Sequence, residues 1–324
     1  MGLDRGGSGK GRAVLLGRND VPQVMEYLHE REMGTECYAP KFLNATLQDG
    51  RKTQVYAYIM RRDHDQYTGK LSIDESVEIV LKGVGPMGTS LEYLESTLEH
   101  LDEMGIVEGP LHEICEKAKK MQRLFETLKE ILADGVRRDV EDAELFQGVI
   151  DTVDWQAPIT PIAPQMLPVV SDHLGDACAL APEGPVGDFA QALLDVSEQL
   201  HWWDVYERYA GEPDMDALRP NYACARFCGI GGMMENKHTL MAVSLQAPQI
   251  FYPSHVHKAP EGYVVVGGEA EWQRGSGDFH LKPSGTYFTH PSGVRHATRT
   301  LDQPLLCIAM WLGDLDSQVV IVRE

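Results

Sequence analysis

Two histidines one residue apart, in His255-Val256-His257, begin the stretch where side-chain chemistry is most concentrated. On an extended strand, residues two apart point to the same side, so both imidazoles face one point. Glu261 follows after Lys258-Ala259-Pro260, a spacing that lets the chain turn and return a carboxylate to that point. Farther on, Pro291-Ser292-Gly293-Val294-Arg295-His296 adds a third imidazole next to a turn that a proline and a glycine enforce. Three neutral imidazole nitrogens and one carboxylate form a borderline-soft, net-negative cage for one divalent ion: Zn, Fe(II), Mn, Ni or Co. Tyr263 lies two residues after Glu261 on the same strand face. The field of a cation held there would stabilise its phenolate, which makes Tyr263 a candidate general base.

Such residues need a rigid scaffold, and the pattern from 222 to 320 supplies one. Short β-rich runs (Ala223–Phe227, Thr239–Gln246, Gly262–Val266, Ala270–Gln273, Tyr287–Thr289, Leu305–Trp311) are divided by Gly, Pro and Asp turns, the rhythm of an antiparallel barrel or jelly roll. Ahead of it the periodicity is mostly helical. Residues 20 to 32 open a helix after Asn19-Asp20, and 38 to 61 alternate around Gln48-Asp49-Gly50 as a hairpin. From 62 to 133 the chain reads as helices, with a capping box at Ser72-Ile73-Asp74-Glu75 and apolar stripes over Leu91–Leu101 and Leu111–Leu132. Six prolines between 154 and 187 separate apolar pieces too short for long helices, yet apolar enough to pack on the barrel. Phe189 to Tyr209 returns to helical spacing and carries Trp202, Trp203 and Tyr206.

Bulk properties restrict the function. A chain of 324 residues predicts about two domains, and a formal charge of −20, from 29 Lys+Arg against 49 Asp+Glu, repels nucleic acid and anionic lipid. No apolar run is long enough to span a bilayer, and no hydrophobic stretch follows the basic N-terminal residues as a signal peptide would require. Six scattered cysteines suit reduced thiols in a cytoplasm. The Gly6-Gly7-Ser8-Gly9-Lys10 run lacks the first glycine and preceding strand of a phosphate loop and is expected to be a flexible tail.

Two family resemblances add to this. His255, His257, Glu261 and Gly268 (His-x-His-x3-Glu-x6-Gly) with Gly285, Pro291, Gly293 and His296 (Gly-x5-Pro-x-Gly-x2-His) resemble the two motifs of the cupin superfamily. Departures fall at turns: a glycine is expected where Gln249 stands, and an asparagine where Thr300 stands. With Tyr263, Trp272, His290-Pro291, Trp202 to Tyr206 and Met310-Trp311-Leu312-Gly313, the stretch 122 to 322 is similar to cupin-type dimethylsulfoniopropionate (DMSP) lyases. The resemblance implies elimination of dimethyl sulfide and acrylate from DMSP with Tyr263 as base. It also implies an aromatic box for the sulfonium, drawn from Tyr252, Phe251, Trp202, Tyr206 and Trp311, with Tyr252 first.

Residues 14 to 118 resemble the ChaC-like γ-glutamylcyclotransferases through Tyr27-Leu28-His29-Glu30-Arg31-Glu32, Arg62 to Gly69, and Gly85-Pro86-Met87-Gly88 to Leu94. That resemblance implies that Glu32 matches the catalytic acid/base. The Tyr-Gly-Ser-Leu loop that cradles the γ-glutamyl group in that family has no counterpart, so the segment is expected to be a degenerate scaffold or a module forming a homodimer. The expected architecture is α+β. A small α+β cyclotransferase-like segment occupies 1–120, a helical and proline-rich arm 121–221, and a cupin (double-stranded β-helix, jelly-roll) barrel 222–324. Two other readings compete: a glutathione-specific cyclotransferase with a regulatory cupin, and a non-catalytic cupin binding metal or a small osmolyte. A cupin dioxygenase is a further alternative.

Overall fold

The computed structural model describes residues 3–4, 6, 9–85, 88–107 and 109–323. Gly7 and Ser8 of the glycine-rich run, and Pro86 and Met87 of the third cyclotransferase-like motif, lie outside them. The chain divides into two compact units, one of Met1–Ser76 with Leu94–Glu113 and one of Val77–Tyr93 with Ile114–Glu324.

In the first unit, helix α1 (Val21–Met33) opens with Pro22 in its first turn, where a missing N–H leaves no bond unmade. Strands β1 (Tyr38–Thr46) and β2 (Lys52–Met60) pair antiparallel as the expected hairpin. Next to the glycine-rich run the chain is held: Met60 N–H donates to Leu3 O at 2.8 Å, and Asp4 accepts from Arg62 and Tyr67. Helix α2 (Ile73–Lys82) begins with the predicted capping box, in which Ser72 N–H donates to the Glu75 carboxylate at 2.7 Å and Glu75 N–H returns a bond to Ser72 Oγ.

After the two-residue strands β3 (Val84–Gly85) and β4 (Gly88–Thr89) come α3 (Ser90–Glu103), α4 (Gly109–Arg137), α5 (Ala143–Thr152), α6 (Pro168–Ala179) and α7 (Pro185–Val196). Ile114, Ala118, Met121, Leu124, Phe125, Leu128, Ile131 and Leu132 recur at three- and four-residue steps and form the buried stripe of α4. The proline-rich stretch departs from expectation. Pro168 and Pro185 do not interrupt helices but start two of 12 residues each, because the first turn is where proline's fixed φ and absent N–H cost nothing. The helical reading of Trp202 is also corrected: helix α7 stops at Val196, and β5 (Trp202–Trp203) pairs with Ala225 and Cys224.

The remaining strands are β6 (Tyr222–Cys228), β7 (Thr239–Gln246), β8 (Phe251–Val256), β9 (Glu261–Gly267), β10 (Glu269–Arg274), β11 (Phe279–Pro283), β12 (Tyr287–His290), β13 (His296–Thr300), β14 (Leu305–Leu312) and β15 (Val320–Ile321). They form two antiparallel sheets, ordered β11-β10-β13-β8-β15 and β12-β9-β14-β7-β6-β5, the double-sheet jelly roll that the turn rhythm predicts. Strands β11 and β13 carry no alternation legible in the sequence, because His280, Lys282, His296 and Arg299 mask it. Helix α6 abuts the β9–β10 turn so closely that a Cβ on Gly267 would stand 1.9 Å from Ala177 O. Glycine at the next position serves the turn itself, with φ at +78° and no room beside Pro304 O.

Candidate metal centre

Strand β8 carries His255 near its end, and His257 follows just beyond it. Glu261 opens β9 and His296 opens β13 directly across from His255. The β-ladders thus bring residues 41 positions apart into one place. His257, Glu261 and His296 are all buried and offer ligand atoms within 4.8 Å of one another. His257 Nε2 is 2.9 Å and His296 Nε2 3.2 Å from Glu261 Oε2. His255 stands beside them, its ring centroid 4.1 Å from that of His296 and 6.3 Å from that of His257.

The backbone fixes the tautomers. Nδ1 of His255, His257 and His296 lies 2.9, 2.9 and 3.0 Å from the carbonyls of Pro253, Ala259 and Val294, so each Nδ1–H donates outward and leaves the Nε2 lone pair facing the cluster. Burial holds His255 well below the usual imidazole range. A buried carboxylate among lone-pair-bearing nitrogens lacks positive charge, and a divalent cation supplies it. The donor set therefore fits a metal ion.

Neighbouring side chains hold these groups in place. Trp311 Nε1–H donates to Glu261 Oε1 at 2.8 Å while its ring stacks on His257 at 4.4 Å. Tyr252 stacks on His255 at 4.0 Å, the rings nearly parallel, and its hydroxyl is hydrogen-bonded to that of Tyr206. Those two rings cluster with Tyr222, 5.7 Å from Tyr206 and 5.4 Å from Tyr252. Of the remaining aromatic candidates, Phe251 is half exposed on the opposite strand face, and Trp202 is fully buried with its indole donating to Ser197 O. Tyr263 is buried and stacked on Phe288, its ring centroid 6.5 Å from that of His296. Burial, then the charge of Glu261, pushes its phenol well above the ordinary value, so without a cation it stays protonated.

His290, which enters from sequence only through the family resemblance, stacks on His296 at 4.2 Å, and burial, then His296, lowers it to about 3. Tyr222 and Thr298 also line this interior and carried no sequence signal, because nothing local tells which strand becomes a neighbour. A depression of about 440 Å³ opens beside the centre, lined by His257, Lys258, Gly293, Asp314, Asp316 and Ser317 among others. In the first unit, Glu32 is part-exposed, 3.4 Å from Arg31. Its charge reaches Tyr58, whose hydroxyl is buried without a partner among the described residues.

A double-sheet jelly roll with a buried His/Glu centre defines a cupin-type protein. More narrowly, residues 142–307 match the dimethylsulfoniopropionate lyase family model, half of the chain, and the chain belongs to that family. Residues 3–126 match the ChaC-like protein model. The dimethylsulfoniopropionate lyase DddQ of Ruegeria pomeroyi is 37% identical over 101 residues, 31% of this chain and 50% of that one. The glutathione-specific gamma-glutamylcyclotransferase of Escherichia coli is 30% identical over 138 residues, 43% of this chain and 57% of that one. The chain thus spans about half the length of the curated relatives it matches. Among solved structures, one from a study of the DMSP lyases RdDddP and RnDddQII superposes with a TM-score of 0.52 at 20% identity, covering 64% of this chain and all of that one. DddQ from Ruegeria pomeroyi does so with 0.50 at 23% identity, covering 61% and 96%. These likenesses establish the fold. Among the described residues no helix is long and apolar enough to cross a membrane, and the six cysteines are free thiols.

Proposed function

We propose that this chain is a metal-dependent DMSP lyase in which His255, His257, Glu261 and His296 hold one divalent ion and Tyr263 is the general base. The observation that carries the reading is the buried convergence of His257, Glu261 and His296, with the Tyr263 ring 6.5 Å from that of His296. An ion held there would supply Lewis acidity toward the substrate carboxylate and the charge that develops as the α-proton leaves. As the phenolate, Tyr263 takes the α-proton and becomes the neutral phenol; the C–H electrons form the C=C bond as the β C–S bond breaks; sulfur leaves as neutral dimethyl sulfide and acrylate remains. The sulfonium suits the faces of Tyr252, Tyr206, Trp311 and Trp202. Asp314 and Asp316 at the rim add negative potential toward a cationic group. Headspace dimethyl sulfide from the purified protein and DMSP tests the proposal, and silence with each of Zn, Fe(II), Mn, Ni and Co would reject it.

A second reading assigns glutathione cleavage to the first segment with Glu32 as acid/base, and it is favoured by the ChaC-like match and the charge of Glu32 near the partnerless Tyr58 hydroxyl. Release of 5-oxoproline that survives the double change His255→Ala, His296→Ala would support it. The division at about 120 and 221, a homodimer built through the first segment and a cytoplasmic location remain part of this proposal.

A further inference from the structure

Beyond the proposed ligands, three of the buried polar side chains of the barrel stand out, one on each of three strands. His290 is on β12, Trp272 on β10 and Thr298 on β13, with Trp272 and Thr298 directly opposite in the β10–β13 ladder. The Trp272 and His290 ring centroids are 6.2 Å apart, and both flank Tyr263, at 4.8 and 5.8 Å. All three residues are at most 5% exposed. Trp272 Nε1, Thr298 Oγ1 and both His290 ring nitrogens are buried with no hydrogen-bond partner among the described residues. Buried polar groups are rarely left unpaired, because each then loses its hydration without compensation. Such orphaned groups, two of them flanking the Tyr263 ring and the third opposite Trp272, mark a place where a ligand completes the bonding.

The donor inventory says which end of a ligand. An indole N–H only donates, a hydroxyl donates or accepts, and a neutral imidazole offers one donor and one acceptor. A sulfonium presents no oxygen or nitrogen to such donors, whereas a carboxylate presents two oxygens. We infer that Trp272, Thr298 and His290 form the subsite for the substrate's carboxylate, a role that rests on the lyase reading and sharpens it. Because a carboxylate has two oxygens, a metal ion taking one leaves the other for this floor. The α-carbon, bonded to the carboxylate, then lies beside the Tyr263 phenol that flanks the same floor. Ordered water is the competing occupant, since it too can satisfy orphaned groups.

The test uses full-length, zinc-loaded protein titrated with propionate, which has the carboxylate and no leaving group, while ¹⁵N–¹H spectra follow the indole N–H signals. Trp272→Phe identifies its signal by removing it. The expected result is a downfield shift of the Trp272 signal, with propionate affinity about tenfold lower in Thr298→Val. In the same variant the KM for DMSP should rise about tenfold with kcat little changed. A Trp272 signal unmoved at calorimetric saturation, or an affinity unchanged in both Thr298→Val and Trp272→Phe, overturns the subsite and leaves the floor to water. Failure of the lyase reading looks different: propionate moves the Trp272 signal, but DMSP yields no dimethyl sulfide.

Discussion

The barrel and the N-terminal hairpin unit place their candidate chemistry in opposite environments. In the barrel, His255, His257, Glu261, His296 and Tyr263 are all at most 6% exposed, and each imidazole is oriented by a backbone carbonyl. In the hairpin unit, helix α1 buries none of its residues, and the Glu32 side chain is 30% exposed beside Arg31. Charges act strongly on one another only where water is excluded. The comparison therefore assigns pre-organised electrostatics to the barrel and leaves the hairpin unit with a motif that solvent screens.

The strongest way to break this contrast is to remove an inferred ligand. Glu261→Ala should lower dimethyl sulfide production by about 10³-fold or more and release the metal, as measured by elemental analysis. Glu32→Ala should leave lyase turnover and metal content unchanged, and a loss of either would tie the hairpin unit to the lyase chemistry. Next in size, Tyr263→Phe should cost about 10³-fold in turnover with metal content near normal. Metal lost together with activity would make Tyr263 a ligand and not a base.

Two stability changes sharpen the barrel side. Gly267→Ala puts a methyl group where Ala177 O already stands, so urea unfolding should show a loss of about 3 kcal/mol, and an unchanged midpoint would mean that α6 yields freely. The smallest effect concerns Gln249, which adopts a left-handed φ of +58° where the cupin motif has glycine. Gln249→Gly removes that strain but adds unfolded-chain entropy and loses a bond to Asp302, so a gain of about 0.5 kcal/mol is expected in the same melts.

Much of the scaffold was legible locally. The capping box at Ser72, the stripe of α4 and the hairpin around Asp49-Gly50 depend on neighbours a few residues away, and all three appear in the fold. Where the reading failed, a local rule had two outcomes. Proline both breaks helices and starts them, and Pro168 and Pro185 start them. The spacing of Phe189 to Tyr209 suits a helix throughout, yet β6 recruits Trp202 and Trp203 as an edge strand. The site divides in the same way: His255, His257, Glu261 and Tyr263 declare themselves by two- and four-residue spacing, whereas His290, Tyr222 and Thr298 do not.

By itself the sequence determined which side chains could serve as ligands and which faces of their strands they share, because alternation along a strand is set within two residues. Only the tertiary structure decided which strands lie side by side: His296 opposite His255, His290 opposite Glu261, Trp272 opposite Thr298. Strand pairing is a long-range choice made by closing two sheets over one core, and no local spacing encodes it. That closure also decided which polar groups lost their water and were left waiting for a partner.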